Sequence, residues 1–198
     1  MKRTVVASCF LLLCLISALA VTHAQQQHKE QQGTRGELEK AYTRFIFLYR
    51  QKDARGLAAF VRQHTTPDFA LKGPDGQPLL QTRKNEKGWD DVSLTRERML
   101  DDMAAALKIN FVDDYSLDEA SIAVDKLVVL GGTAIVLTSG TGKGTARPIQ
   151  YKASENQKPL PYQIWYRDCQ TWVRTAEGWK LREVYLLVIS SRSLRGPQ

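Results

Sequence analysis

Residues 163–189 read QIWYRDCQTWVRTAEGWKLREVYLLVI, and this stretch decides the fold. Two runs rich in aromatic and β-branched residues flank Ala176-Glu177-Gly178, and they hold three of the four tryptophans. That pattern predicts a long antiparallel hairpin, with strands about Tyr162–Arg174 and Trp179–Ile189. Alternate residues of a strand share a face. Tyr166, Asp168, Gln170, Trp172 and Arg174 therefore form one set on the first strand, and Trp165, Arg167, Cys169, Thr171 and Val173 the other. On the second strand the sets are Trp179, Leu181, Glu183, Tyr185 and Leu187 against Lys180, Arg182, Val184, Leu186 and Val188. An even-length turn places the Tyr166 set beside Glu183 and Tyr185. An odd loop or a bulge exchanges the faces, and the sequence leaves both open.

Working back from the hairpin, Ile122–Leu130 and Thr133–Thr138 are Val-, Ile- and Thr-rich runs around Gly131-Gly132, a second hairpin signal. Gly140–Gly144 reads as the end of that second strand, and Arg147–Pro161 as a long polar connection. A helix is expected over about Arg96–Lys108, with Thr95 as its N-cap. Gln81–Val92 reads as a charged loop, preceded by a Pro74-Asp75-Gly76 turn and a brief strand at Phe69–Leu71. Asp53 suits the cap of a short helix that Pro67 ends. The first helix of the folded body is expected over Glu37–Gln51, where Leu38, Ala41, Tyr42, Phe45, Ile46 and Tyr49 make one stripe. Helices first and antiparallel strands last give an α+β domain, with the twisted sheet curling around the first helix.

The chain ends are different in kind. Lys2, Arg3 and the apolar run Val5–Ala20 form a secretory signal over residues 1–24, with small-residue cleavage sites at Ala20 and Ala24. The expected location is periplasmic or extracellular, without a stable membrane anchor. Residues 25–36 are expected as a disordered polar leader, 37–190 as a single domain and 191–198 as a polar tail. The net charge of +7 falls to +5 once Lys2 and Arg3 are removed, and the charges are scattered, which argues against a nucleic-acid surface. Past the signal only Cys169 is left, so no internal disulfide forms. One histidine in the folded body, His64, and one cysteine exclude zinc sites of the usual kinds. Ser139–Thr145, SGTGKGT, is no phosphate loop: Leu137 stands where the first glycine belongs and Gly144 where the hydroxyl belongs. It reads as a flexible glycine turn.

The stretches LEKAYTRFIFLYRQKDARGLAAFV, TPDFALKGPDGQPL, SLTRERMLDDMAA, VVLGGTAIVL and TWVRTAEGWKLREVYLL, in this order, resemble the SnoaL-like branch of the nuclear transport factor 2-like superfamily. The resemblance implies a cone-shaped barrel, its N-terminal helices packed in a strongly curved antiparallel sheet, with a pocket open at one end. The loops at Gln81–Val92 and Arg147–Pro161 are longer than the family pattern. The resemblance also implies that Glu183 and Tyr185 line the pocket, at positions where relatives commonly carry histidines. Relatives often carry an aspartate where Gln170 stands. Members range from isomerases, dehydratases and cyclases to transport adaptors, so the fold does not give the activity.

The residues themselves point the same way. A carboxylate at Glu183 beside Trp, Leu and Tyr is costly unless it is paired or titrates upward. The plainer alternative is a structural bridge from Glu183 to Arg167 or Arg174. Tyr42, Asp68, Arg98, Tyr166, Arg167, Gln170, Trp172, Glu183 and Tyr185 are the candidate ligand-binding residues, Glu183 and Tyr185 also the catalytic candidates. Asp68 with His64 is a candidate acid–base pair, against a plainer role at a helix end. The expected function is an exported, non-catalytic domain whose pocket binds a small apolar or amphipathic ligand, with no cofactor, metal or nucleic acid. The alternative is a small cofactor-free isomerase, dehydratase or cyclase with Glu183 as acid–base group. Val184, Leu186 and Val188 on one face suggest a homodimer through the sheet.

Overall fold

The computed structural model describes the backbone of residues 2–85, 88–93, 95–100, 115–146 and 160–193, with side chains for 25–79, 95–100, 116–145 and 160–190. The third helix beyond residue 100, most of the polar connection and the end of the tail lie outside the described residues. Among the described residues, two helices, α1 (Lys2–Arg50) and α2 (Ala54–His64), precede seven strands. These are β1 (Thr65–Lys72), β2 (Leu80–Asn85), β3 (Gly88–Ser93), β4 (Tyr115–Leu130), β5 (Thr133–Ala146), β6 (Leu160–Thr175) and β7 (Gly178–Ser193). One sheet runs β1-β7-β6-β5-β4, with β1 parallel to β7 and the other pairs antiparallel. The fold is α+β: α1 packs into a curved, unclosed five-stranded sheet.

The apolar stripe of α1 meets the concave face. Leu38 and Tyr42 are buried with Val124, Val129, Ala134, Val136, Trp172 and Trp179 in one cluster. Tyr42 meets Trp172 edge to face, ring centroids 6.0 Å apart. Arg35 Nη1 donates to the Val124 carbonyl at 2.8 Å, beside the bulge between Val124 and Lys126 in β4. At the joint to α2, Asp53 caps as expected: its side chain accepts from the Gly56 N–H at 2.8 Å. Thr95 likewise accepts from the Arg98 N–H at 3.3 Å, at the start of the helical turn 96–100.

Four elements differ from the sequence reading. First, helix α1 runs through the Gln-rich segment expected as a disordered leader. Gln, Glu and Lys are good helix formers, no proline interrupts them, and Glu30 reaches Arg174 at 3.3 Å. Second, the charged loop contains a separate hairpin, β2 with β3, whose register sets Arg83 opposite Asp90. Third, β1 is longer than Phe69–Leu71. Pro67 falls between the paired residues Thr65 and Ala70 of this edge strand, where no ladder donor is required.

Fourth, β5 continues straight through the glycine segment, which is neither a turn nor a strand end. These glycines answer close approach. A Cβ on Gly140 would lie 2.1 Å from Tyr166 Cζ, and one on Gly144 would lie 1.9 Å from the Ser116 carbonyl oxygen. Gly178 closes the β6–β7 hairpin with a φ of 109°, a conformation rarely taken by L side chains.

Two bulges in β7 settle the faces of the closing hairpin. Trp172 pairs Leu181, but Thr171 pairs Glu183, so Arg182 is the extra residue. Asp168 pairs Leu186 and Arg167 pairs Val188, so Leu187 is the second. Between the bulges the phase of β7 is inverted. Val184 turns inward opposite Gln170 and is 8% exposed, while Glu183 and Tyr185 turn outward with Thr171 and Cys169. Val184 is therefore no part of an exposed apolar face.

Gly144→Ala is expected to destabilise the protein by about 2 kcal/mol or more, because the methyl meets backbone that has no room to move. Gly33→Ala, with open space around it in α1, is expected to stabilise by about 0.5–1 kcal/mol. Urea unfolding of both variants checks the pair of opposite signs.

Candidate functional site

Five side chains join α1, β5 and β6 in one buried polar network. Gln170 Oε1 accepts from Tyr42 Oη at 2.7 Å and from Trp172 Nε1 at 2.8 Å. Gln170 Nε2 donates to Asp168 Oδ1 at 3.0 Å and to Thr138 Oγ1 at 3.3 Å. The Thr138 hydroxyl in turn donates to Asp168 Oδ1. Thr138, Asp168 and Gln170 are all at most 6% exposed. Both donors and both acceptor positions of the Gln170 amide are thus occupied. It orients its neighbours and has nothing left for a ligand.

Asp168 is the charged end of the network. Burial pushes its carboxyl pKa up, against the hydrogen bonds from Thr138 and Gln170 that favour the ion. Among the described residues no donor meets its second oxygen, Oδ2. The Tyr42 and Tyr166 hydroxyls are both pushed well above the usual range, first by burial and then by the charge of Asp168. Both stay protonated and act as neutral groups.

Next to this network, toward the C-terminal end of α1, lies a cavity of about 250 Å³. Phe45, Ile46 and Tyr49 form its helix wall. Leu117, Ala120, Ser121 and Ile122 of β4, Thr141 of β5, and Ile164 and Tyr166 of β6 form the rest, over a floor at Gly142, with the Ser121 and Thr141 hydroxyls bonded to each other at 2.9 Å. The glycines of β5 make this space: Tyr166 lies across Gly140, where any side chain would collide with its ring. Among the described residues the Tyr166 hydroxyl has no hydrogen-bond partner. A second cavity of about 120 Å³ sits where α1 and α2 meet the β6–β7 turn, lined by Glu37, His64, Trp172, Glu177 and Trp179.

The other sequence candidates lie elsewhere. Glu183 and Tyr185 are on the convex face, where Lys72 Nζ donates to Glu183 Oε1 at 2.7 Å and to Tyr185 Oη at 3.2 Å. The bridge expected from Glu183 to Arg167 or Arg174 is replaced by this one, because β1 comes to lie beside β7. The Lys72 ammonium holds the Glu183 carboxyl below its usual range. Arg167 is exposed and faces Asp125 at 3.6 Å. Asp68 is exposed, and Arg98 lies in the helical turn that Thr95 caps; neither lines the cavity beside Tyr166. His64 stacks on Phe60, with centroids 4.3 Å apart, and burial lowers its pKa. So Tyr42, Gln170 and Trp172 come together with Tyr166 nearby, and the remaining candidates do not join them.

Asp168 and Thr138 were missed as site residues. The signal for Asp168 was present: strict alternation puts it on the face of Tyr166, Gln170 and Trp172, a carboxylate among aromatics.

No protein-family model matches this sequence, and no curated protein matches it. Solved structures do share the fold. A conserved protein from Planctomyces limnophilus aligns with a TM-score of 0.51 at 16% identity, covering 79% of this chain and 98% of that one. The Kfla4162 protein from Kribbella flavida aligns with a TM-score of 0.51 at 15% identity over 81% of this chain and 94% of that one. A nuclear transport factor 2-like superfamily protein from Salmonella enterica aligns at 0.48 and 13% identity, over 83% and 95% of the two chains. At these identities the likeness is one of fold alone.

The two carboxylates are expected to act oppositely on stability. Asp168 has a raised folded pKa, so the native state binds the extra proton and stability falls as pH rises through the window above the ordinary aspartate value. Glu183 has a lowered one, so its contribution is present above the ordinary glutamate value and is lost as pH falls through the folded pKa. Thermal unfolding against pH checks this. Asp168→Asn is expected to remove the first slope and Glu183→Gln the second.

Proposed function

We propose that this protein is an exported binding protein for a small, mostly apolar molecule, held in the cavity between α1 and strands β4 to β6. One observation carries the reading: the cavity has predominantly hydrocarbon walls, the Ser121 and Thr141 hydroxyls bond each other, and the Tyr166 hydroxyl has no partner among the described residues. Its volume of about 250 Å³ is just below that of ordinary small-molecule sites, roughly 300–1,000 Å³, and suits a ligand of one or two rings. Burial of such a ligand supplies the driving force, and the Tyr166 O–H supplies orientation to an acceptor atom. The leader at residues 1–24 supports export.

Acid–base catalysis through Glu183 draws no support from the geometry. Its carboxyl is held ionised by Lys72 on the opposite face of the sheet from the cavity. A general base must reach the proton it removes, and this one does not face the bound molecule.

Fluorescence titration with 2-naphthol tests the proposal. Ala120→Phe puts a ring into the cavity and is expected to weaken binding by about tenfold or more. Tyr185→Ala, on the convex face, is expected to leave it unchanged. Equal affinity of wild type and Ala120→Phe would contradict a site in this cavity.

A further inference from the structure

The convex face of the sheet carries an exposed tryptophan. Trp165 is 41% exposed, although β6 buries its other tryptophan, Trp172, in the core. The ladder register gives Trp165 its neighbours. Thr141 of β5 and Ser190 of β7 pair with it, and Ser121 of β4 continues the row. Ser121 and Thr141 are exposed, and their hydroxyls bond each other at 2.9 Å. Two residues along β6, Arg167 faces Asp125 at 3.6 Å, and Ser139 Oγ donates to the same carboxylate at 3.0 Å. Asp125 is the extra residue of the bulge in β4, which aims it at these two. On the other side of the Trp165 row, Lys143 pairs Glu119 at 2.8 Å.

An apolar ring thus stands among hydroxyls and compensated charges. Each described cation of the patch has its acid, so the patch offers no net charge to a phosphate backbone or an anionic lipid. A purely apolar partner packed on the indole would also cover the hydroxyls and ion pairs beside it and strip their water without replacing it. A sugar ring meets both demands. Its C–H face packs on the indole, and its hydroxyls donate and accept at Thr141, Ser190, Arg167 and Asp125. The row from β4 to β7 spans three strand spacings, about 14 Å, enough for a short oligosaccharide. We propose that this face binds a neutral glycan chain, with Trp165 as the stacking platform and the Arg167–Asp125 pair as its polar edge. Neither Trp165 nor Arg167 lines the cavity beside Tyr166, so this site stands independently of the ligand held there.

Cellohexaose, maltohexaose and chitohexaose, each titrated calorimetrically into the full chain, test this. At least one is expected to bind, and Trp165→Ala is expected to weaken it by about tenfold or more. Trp165→Tyr, which keeps a ring, is expected to stay within about threefold of wild type. Circular dichroism checks that both variants are folded, as expected for substitutions at an exposed position. Failure of all three glycans to bind at millimolar concentration overturns the proposal, as does binding that Trp165→Ala leaves unchanged. Two other occupants are read in parallel. Phosphatidylcholine vesicles that bind the wild type but not Trp165→Ala would make the patch a lipid surface. A wild-type dimer in sedimentation that Trp165→Ala turns monomeric would make it an interface between two copies of the chain. Either result overturns the glycan site and leaves the cavity untouched.

Discussion

The phase of strand β7 is the constraint on which the site depends. Arg182 bulges out of the β6–β7 ladder, and from there to Leu187 every side chain of β7 faces opposite to the simple alternation from Trp179. This sends Val184 into the concavity and Glu183 and Tyr185 out to Lys72. An inward Glu183 would be a second carboxylate near Asp168, in an interior that already raises the first. The bulge therefore keeps the inner face to one acid, surrounded by neutral donors.

The inner face is built by complementary choices on three elements. Strand β5 offers Thr138 and the side-chain-free Gly140 and Gly142; β6 offers Tyr166, Asp168, Gln170 and Trp172; α1 offers Tyr42 and Phe45. Gln170 is the hub: its amide joins helix to strand through Tyr42 and strand to strand through Thr138. Buried amides of this kind are stable only when all their positions are filled, and here they are. The polar network thus sets the helix against the sheet at a fixed height. The space left between α1 and the glycine segment of β5 is the cavity.

Much of this was legible in the sequence. The stripe from Leu38 to Tyr49 gave the central helix, and the Trp-rich hairpin gave the sheet that curls around it. Alternation on β6 correctly grouped Tyr166, Gln170 and Trp172 on one face. What could not be read were events with no local signature. A bulge at Arg182 depends on how β7 fits both β6 and β1, and no residue type announces it. The pairing of Lys72 with Glu183 spans 111 positions and follows from β1 joining the sheet edge in parallel. The glycines of β5 look like a turn until the Tyr166 ring is seen lying on them. The hairpin at residues 80–93 was hidden by the charge of its sequence.

The most direct test concerns adjacent residues on either side of the inverted phase. In a chain whose three cysteines are replaced by serine, Glu183→Cys and Val184→Cys are made separately and reacted with a water-soluble maleimide under native conditions. The account predicts rapid labelling at 183 and strong protection at 184, which is 8% exposed. Protection at 183 with rapid labelling at 184 would put Glu183 inside the cone and contradict the site described for this fold.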